Sequence, residues 1–410
     1  MVLAALLLFL ASWQSLQESS VAAYRSGDYA AYLLLMQQLE EQRPNHPQVL
    51  FNLAGAHALN GDAARTAEVL KRLAAMDVSF DLDAERDFDK VRSSPAFREA
   101  AAAMDAVRRK RVSTATIAFR FPERDLITEA IVYDPRTKSF FVSSIRKRKI
   151  LRIDATGAIR DYGVRLDYAP VGMAVDADRR LLWVVTAAFE RMEGFDASMK
   201  GRAALLAISL ENGQIVQRID GRGFLDSVAV ARDHTVLVSD AAGTLYKLDG
   251  AELRTLVAPG RIRSPQGIAP SADENSVYVA DYSGAIHRVD IRTGDALTLD
   301  APPDVLLFGI DGLTRDGNSL IAVMNGVTLH RVVRFTLRGG GNAIAGSEIL
   351  EMNTEHLDEP TSGTMARGAF YFVAASQGHR FTADSTPELS TLKEPVILRI
   401  TAAGSSRPTH

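Results

Sequence analysis

From about Val112 onward the chain repeats itself six times. Strand-like runs rich in β-branched and aromatic residues recur, among them AIVYD, SFFVSSI, LLWVVTA, TVLVSDA, SVYVADY, SLIAVMN and AFYFVAA. Asp, Gly and Asn punctuate them, as turns between strands require. Each unit opens with a short motif, runs into an alternating strand, turns, and runs into a second strand. The openings are Glu129-Ala130-Ile131, Val171-Gly172-Met173, Asp226-Ser227-Val228, Gln266-Gly267-Ile268, Asp311-Gly312-Leu313 and Ser362-Gly363-Thr364. Successive openings start 42, 55, 40, 45 and 51 residues apart. That is the period of a four-stranded propeller blade, so six openings predict a six-bladed β-propeller over residues 111–403. The second residue of every opening is small, because inner strands crowd around a narrow channel. Residues 114–121, TATIAFRF, precede the first opening. They are predicted to supply the outer strand of the last blade and close the ring, which removes free sheet edges.

Ahead of the strands the period is helical. Ala30, Leu33, Leu34, Met36 and Leu39 form one apolar stripe, and Val49, Leu50, Leu53, Ala54 and Ala58 form another. Pro44 and Pro47 stand between them, where one helix should stop and the next begin. Gly27-Asp28 and Gly61-Asp62 lie 34 residues apart, the tetratricopeptide period. The glycine suits the turn and the aspartate suits the cap of the following helix. Leu53, Ala54 and His57 take the places of that pattern's Leu, Gly and Tyr, which makes His57 a packed helix residue. Residues 18–110 are therefore expected to form a small all-α, tetratricopeptide-like module, with one more helix in DFDKVRSSPAFREAAAAM. Repeat units bury their faces on neighbours, so the module is expected to dock on the next domain. Two roles fit it: a structural cap, or a groove for a protein partner.

Composition narrows the function. A net charge of −3 over 410 residues gives no electrostatic footprint for nucleic acid. The absence of cysteine excludes disulfides, thiolate metal sites and a cysteine nucleophile. Residues 2–11, VLAALLLFLA, are uninterrupted and apolar. They are too few to span a bilayer, which takes about 20, and they suit the core of a secretory signal peptide. No Lys or Arg precedes Arg25, so the usual basic flank is missing. The expectation is a signal peptide over residues 1–17 and a periplasmic or secreted protein with no transmembrane segment in the mature chain. The alternative is a helix packed on the domain. Residues 404–410 read as a tail.

Three stretches carry a family resemblance. EAIVYDP (residues 129–135) is similar to the EGPxWDP opening of the gluconolactonase and senescence-marker-protein family, also called regucalcin-like. PQGIAPSADENSVYVADY (residues 265–282) resembles its PNGIAxSPDGxxLYVADS segment, and DGLTRDGNSLIAV (residues 311–323) resembles its DGLxxDxxGNLWVA segment. The resemblance covers the propeller and not the helical module. It implies a divalent cation at the channel mouth, held by a Glu, two Asn and an Asp from four openings. Carried over position by position, these are Glu129, Asp226, Gln266 and Asp311. Asp226 and Gln266 depart from the family's Asn but keep an oxygen donor. Val171 and Ser362 offer no strong ligand. Independently, three carboxylates converging on an axis repel unless a cation neutralises them. All-oxygen ligation favours Ca²⁺, with Mg²⁺ or Mn²⁺ also suited. The competing reading is that these residues cap backbone amides at strand entries.

Two long connections open on the same face. Residues 189–202 form one, and residues 376–394, with Gln377, His379, Arg380 and Phe381, form the other; either suits a lid or specificity wall. The run AASQGHRF within the second resembles a stretch in some relatives of the family. His379 reads either as an exposed loop histidine or as a proton shuttle or substrate contact. The basic turn Arg146-Lys147-Arg148-Lys149 reads as a solvated hairpin, or as a patch steering an anionic ligand. Arg146, Arg148, Ser362, Gln377 and His379 are the candidate substrate-binding residues. No GxSxG elbow, phosphate-binding glycine loop or HExxH is present. Two functions follow. One is a metal-dependent hydrolase of a lactone or ester, with Asp311 as the catalytic residue that orients or deprotonates water. The other is a non-catalytic binding propeller whose helical module docks a protein.

Overall fold

A computed structural model describes residues 12–382 and 387–401. The expected leader core at residues 2–11 and the tail at 404–410 lie outside the described residues. The chain divides into two compact units between Lys110 and Arg111. No described helix is long and apolar enough to cross a membrane.

Among the described residues the first unit holds five α-helices, Trp13–Ser26, Tyr29–Gln42, Pro47–Leu59, Ala63–Ala75 and Pro95–Arg109, each packed on the next. The repeat at 34 residues is visible as paired caps. Gly27 and Gly61 stand at φ 77° and 80°. After them, Asp28 accepts from Ala31 N and Asp62 from Arg65 N, each at 3.0 Å. These bonds satisfy amides that a helix start leaves without partners. Leu50, Ala54, Leu70 and Leu73 are fully buried between the helices, and His57 is buried among them.

The second unit is a six-bladed propeller. Its inner strands are Thr128–Asp134, Ala169–Asp176, Leu225–Val230, Pro265–Pro270, Ile310–Asp316 and Gly363–Ala366, one per antiparallel sheet. Each expected opening falls at the start of one of them. In blade six the outermost strand is Thr116–Arg120, paired with Val396–Thr401, so the N-terminal strand closes the ring as expected. The strand before it, Val112–Ser113, was not anticipated. It pairs with Glu351 and Met352 at the edge of blade five. Glu351 is buried there, and its Oε2 accepts from Thr114 N and Ala115 N at 2.8 and 3.0 Å. One short segment thus ties two neighbouring blades.

The small residues of the openings are explained by the next blade. A Cβ on Gly172 would stand 2.5 Å from Asp226 O, one on Gly267 2.8 Å from Asp311 O, and one on Gly312 2.5 Å from Thr361 O. Real contacts of that kind do not occur, so glycine lets each inner strand touch the opening that follows. Second-strand serines fasten two of the other joints. Ser143 accepts from Ala130 N at 2.8 Å and donates to Val171 O at 3.2 Å. Ser239 accepts from Ser227 N at 3.0 Å and donates to Gln266 O at 3.3 Å. Apolar clusters fill the spaces between blades. Phe140 and Ile131 of blade one pack with Tyr371 and Ile397 of blade six. Truncating a buried phenylalanine such as Phe140 to alanine costs about 3–5 kcal/mol.

The far ends of the first two inner strands are each tied to the next blade through a buried aspartate. Asp134, fully buried, accepts both nitrogens of Arg180 at 2.9 Å. Asp176 meets His234 Nδ1 at 3.0 Å. Arg180 and His234 sit at hairpin tips of the next blade, at φ 57° and 68°.

Candidate functional site at the channel mouth

All six inner strands line a cavity of about 410 Å³ along the axis. Glu129, Asp226, Asp311 and Ser362 line it at the strand entries. Glu129 is held there by ring closure, since its carbonyl accepts from Thr361 Oγ1 at 2.6 Å and Ser362 Oγ at 2.9 Å. Ser362 Oγ also accepts from Ile131 N at 3.2 Å. Its hydroxyl therefore tethers the last blade to the first.

The three carboxyls share one field. Burial pushes Glu129 well above the usual carboxyl range, and the charges of Asp311, Asp226 and Glu359 push further, with Arg191 pulling the other way. Burial likewise raises Asp226, helped by Asp311 and Asp240. Asp311 is pushed up to about 7, chiefly by burial; a hydrogen bond from Asn325 pulls it down and Glu359 pushes it up. Burial favours the neutral acid, and neighbouring negative charge acts in the same direction.

Two amides attend the trio. Gln266, with its nitrogen turned toward the carboxylate, donates to Asp226 Oδ2 at 2.9 Å and Oδ1 at 3.2 Å. Asn325 Nδ2 donates to Asp311 Oδ2 at 2.5 Å. Among the described residues no group of three or more His, Cys, Asp or Glu side chains is disposed so that it could hold a metal ion as it stands. The donors fit a hard cation in chemistry, being all oxygen and electrostatically frustrated without one. To take it up, Asp226 would have to share or release Gln266, which reaches both its oxygens, whereas Asn325 occupies only Oδ2 of Asp311.

Glu359 is a fourth acid that sequence reasoning missed. It stands at φ 61° in the connection leading to blade six. His379 N donates to its Oε2 at 2.7 Å, His379 Nδ1 lies 3.2 Å from the same oxygen, and Arg191 lies 3.6 Å from Oε1. Its backbone N donates to His330 Nδ1 at 3.3 Å. Half of the His379 side chain is exposed. Arg191 comes from the long blade-two connection and His379 from the long blade-six connection, so Glu359 joins the two. Beneath them Met192, Phe381, Leu392, Ile127 and Ile145 form an apolar cluster.

The other expected ligand contacts are engaged locally. Arg146 lies over the Phe381 ring, 4.9 Å from its centre, and 3.6 Å from Asp125. Lys147 bridges Asp125 at 2.6 Å and Glu193 at 2.7 Å. Arg148 donates to Asp167 O at 3.1 Å, and Lys149 pairs with Glu123 and Asp161. Gln377 is fully buried; it donates to Lys393 O at 2.9 Å and accepts from Lys393 N at 2.8 Å, bracing the two ends of its loop.

No family model matches the chain, and no curated protein matches it. Solved structures similar to it include a gluconolactonase from Xanthomonas campestris, at 17% identity over 71% of this chain and 97% of that one, with a TM-score of 0.48. An inactive virginiamycin B lyase from Staphylococcus aureus, solved with quinupristin, is similar at 13% identity over 68% of this chain and 82% of that one, with a TM-score of 0.47. A hydrazine synthase from Kuenenia stuttgartiensis is similar at 13% identity over 69% and 88%, with a TM-score of 0.43. At these levels the likenesses assign no activity to the chain.

Proposed function

We propose that the channel mouth is the active site of a divalent-cation-dependent hydrolase acting on a lactone or ester. The observation that supports this most is the trio itself: Glu129, Asp226 and Asp311 stand half-buried around one channel mouth and each is raised. A fold gains no stability from such an arrangement, and perturbed carboxyls of this kind gather at working sites. Glu129, Asp226, Gln266 and Asp311 would hold the cation, Ca²⁺ first and Mg²⁺ or Mn²⁺ next. A bound cation of this type supplies charge neutralisation and polarisation of the ester carbonyl. Asp311 orients and deprotonates the attacking water. A bound cation would draw this carboxyl down from its raised position and keep it ionised, as a base requires. His379, bonded to Glu359 and half exposed, is placed to pass a proton to solvent.

The test is a screen of lactones and aryl esters with chelated protein, with and without Ca²⁺. Turnover is expected only with the cation. Asp311→Asn should lower kcat by roughly 10²–10⁴-fold, the range a general base contributes, with an unchanged melting temperature. Undiminished hydrolysis in that variant rejects the role of Asp311. A second reading has its own support: Gln266 and Asn325 already serve two of the acids without a cation. In that reading the propeller binds a ligand and the helical unit binds a protein. No turnover of any ester by well-folded, Ca²⁺-loaded protein would favour it.

A further inference from the structure

Asp311 is held by a hydrogen-bond chain that begins on another blade. Asn325 follows the second strand of blade five, Ser319–Met324, and Tyr282 follows the second strand of blade four, Ser276–Asp281. Tyr282 Oη donates to Asn325 Oδ1 at 3.0 Å, and Asn325 Nδ2 donates to Asp311 Oδ2 at 2.5 Å. Donor chemistry fixes the direction. An ionised carboxylate only accepts, so Asn325 must turn its NH₂ to Asp311. Its carbonyl then needs a donor, and the phenol supplies one.

The surroundings are built around this chain. Tyr282 N donates to Ser264 O and Gly309 N to Tyr282 O, both at 2.9 Å, so the tyrosine backbone is anchored on both sides. A Cβ on Gly326 would stand 2.5 Å from Gly309 Cα, 2.7 Å from Tyr282 Cζ and 2.8 Å from its Oη. The residue after Asn325 is thus kept bare where the phenol passes. Burial, with the charges of Asp311 and Glu359, raises the Tyr282 hydroxyl to about 12, so it stays a donor across the physiological range. Among the described residues no donor reaches Asp311 Oδ1.

We infer that Asn325 and Tyr282 are positioning residues for Asp311: the chain fixes the carboxylate plane and leaves Oδ1 as the oxygen presented to the reacting water. This rests on the reading of Asp311 as the base. The chain itself needs no substrate and can be tested without one.

The experiment compares Tyr282→Phe, Asn325→Ala and the double variant in steady-state hydrolysis of an aryl ester with saturating Ca²⁺. It adds side-chain amide NMR spectra of ¹⁵N-labelled protein. Asn325→Ala is expected to lower kcat by about 10²-fold, the cost of a base misplaced by an ångström. Tyr282→Phe removes one hydrogen bond and is expected to lower kcat about tenfold. KM should stay within about twofold in both, because a positioning loss falls on the chemical step. Tyr282→Phe should add nothing in the Asn325→Ala background, since it acts through Asn325. In the spectra, the NH₂ pair lost in Asn325→Ala should shift in both Tyr282→Phe and Asp311→Asn. Additive kinetic losses, or an effect confined to KM, would overturn the proposal, as would an Asn325 amide unmoved by both substitutions. If the wild type hydrolyses nothing, the hydrolase reading fails, and the spectra still decide whether the chain exists.

Discussion

The two ends of the inner strands treat buried acids in opposite ways. At the far end Asp134 is fully buried. Burial alone would raise it, but Arg180, Thr137 and the amide of Arg136 bring it below the ordinary range. Asp281, beside the mouth, is also lowered: the His287 ring 3.7 Å away and hydrogen bonds from Arg263 N and Ser283 overcome its burial. Asn325 donates to Asp311, Gln266 donates to Asp226 and Arg191 pulls on Glu129, but these fall short of offsetting burial and mutual charge, and all three are raised. The same blades therefore neutralise an acid where it is structural and leave three only partly compensated at one point. A paired guanidinium or several donors to one carboxyl are within reach of this fold, so the single amide given to each aspartate marks a site prepared for something else.

Removing the far-end partner should have the largest effect on stability. Arg180→Ala strands Asp134 as an unpaired buried charge, and breaking such a pair costs about 3–5 kcal/mol. Urea denaturation would show the loss, while kcat/KM of the folded fraction should stay within twofold. A stable Arg180→Ala protein would mean that Asp134 is compensated from elsewhere, and the contrast between the ends would weaken.

The pH dependence of stability should differ in sign between the two ends. Carboxyls raised in the folded protein bind protons more tightly there than in the unfolded chain. Their contribution is fully present below the unfolded value near 4 and is lost as pH rises through the folded value, about 7 for Asp311. Asp134 is lowered, so its contribution is present above the unfolded value and is lost as pH falls through the folded one. Cation-free protein should therefore melt lower at pH 8 than at pH 5.5, and saturating Ca²⁺ should remove most of that fall. Each 1 kcal/mol moves the midpoint of a domain of 150–250 residues by roughly 2–4 °C, so scanning calorimetry can read it. A flat profile in the cation-free protein would sink the idea of a frustrated trio.

The sequence carried most of the ring and half of the site. Six openings were legible because every blade repeats the same crowding, and Gly172, Gly267 and Gly312 have no alternative where the next backbone passes. Glu129, Asp226 and Asp311 were legible because they share one register position in that repeat. Asn325, Tyr282 and Glu359 were not. Asn325 and Tyr282 follow second strands, where neighbouring blades carry unlike residues, and Glu359 lies in a connection with no counterpart. The basic turn at Arg146–Arg148 reads as a solvated hairpin or as a patch open to an anion, because its partners are remote in sequence. Asp125 lies 22 residues before Lys147 and Glu193 lies 46 after it. Gln377 read as a loop side chain, and its role as a buried brace depends on Lys393 returning alongside it.

The smallest expected effect is the sharpest check on whether the two ends act separately. His234 holds Asp176 at the far end of blade two, with about a quarter of its side chain exposed. It occupies a left-handed tip at φ 68°, a conformation that asparagine tolerates. His234→Asn therefore keeps the turn and shortens the donor. The loss should be about 1 kcal/mol, that of one hydrogen bond. Nothing at the mouth should change, because Asp176 meets the trio only along the length of the inner strand Ala169–Asp176, whose opening residue Val171 carries no ligand. Ca²⁺ affinity and kcat within twofold of wild type would keep the far end structural. A tenfold change in either would show that strain at the hairpin tips reaches the mouth, and the division of labour along the inner strands would have to be given up.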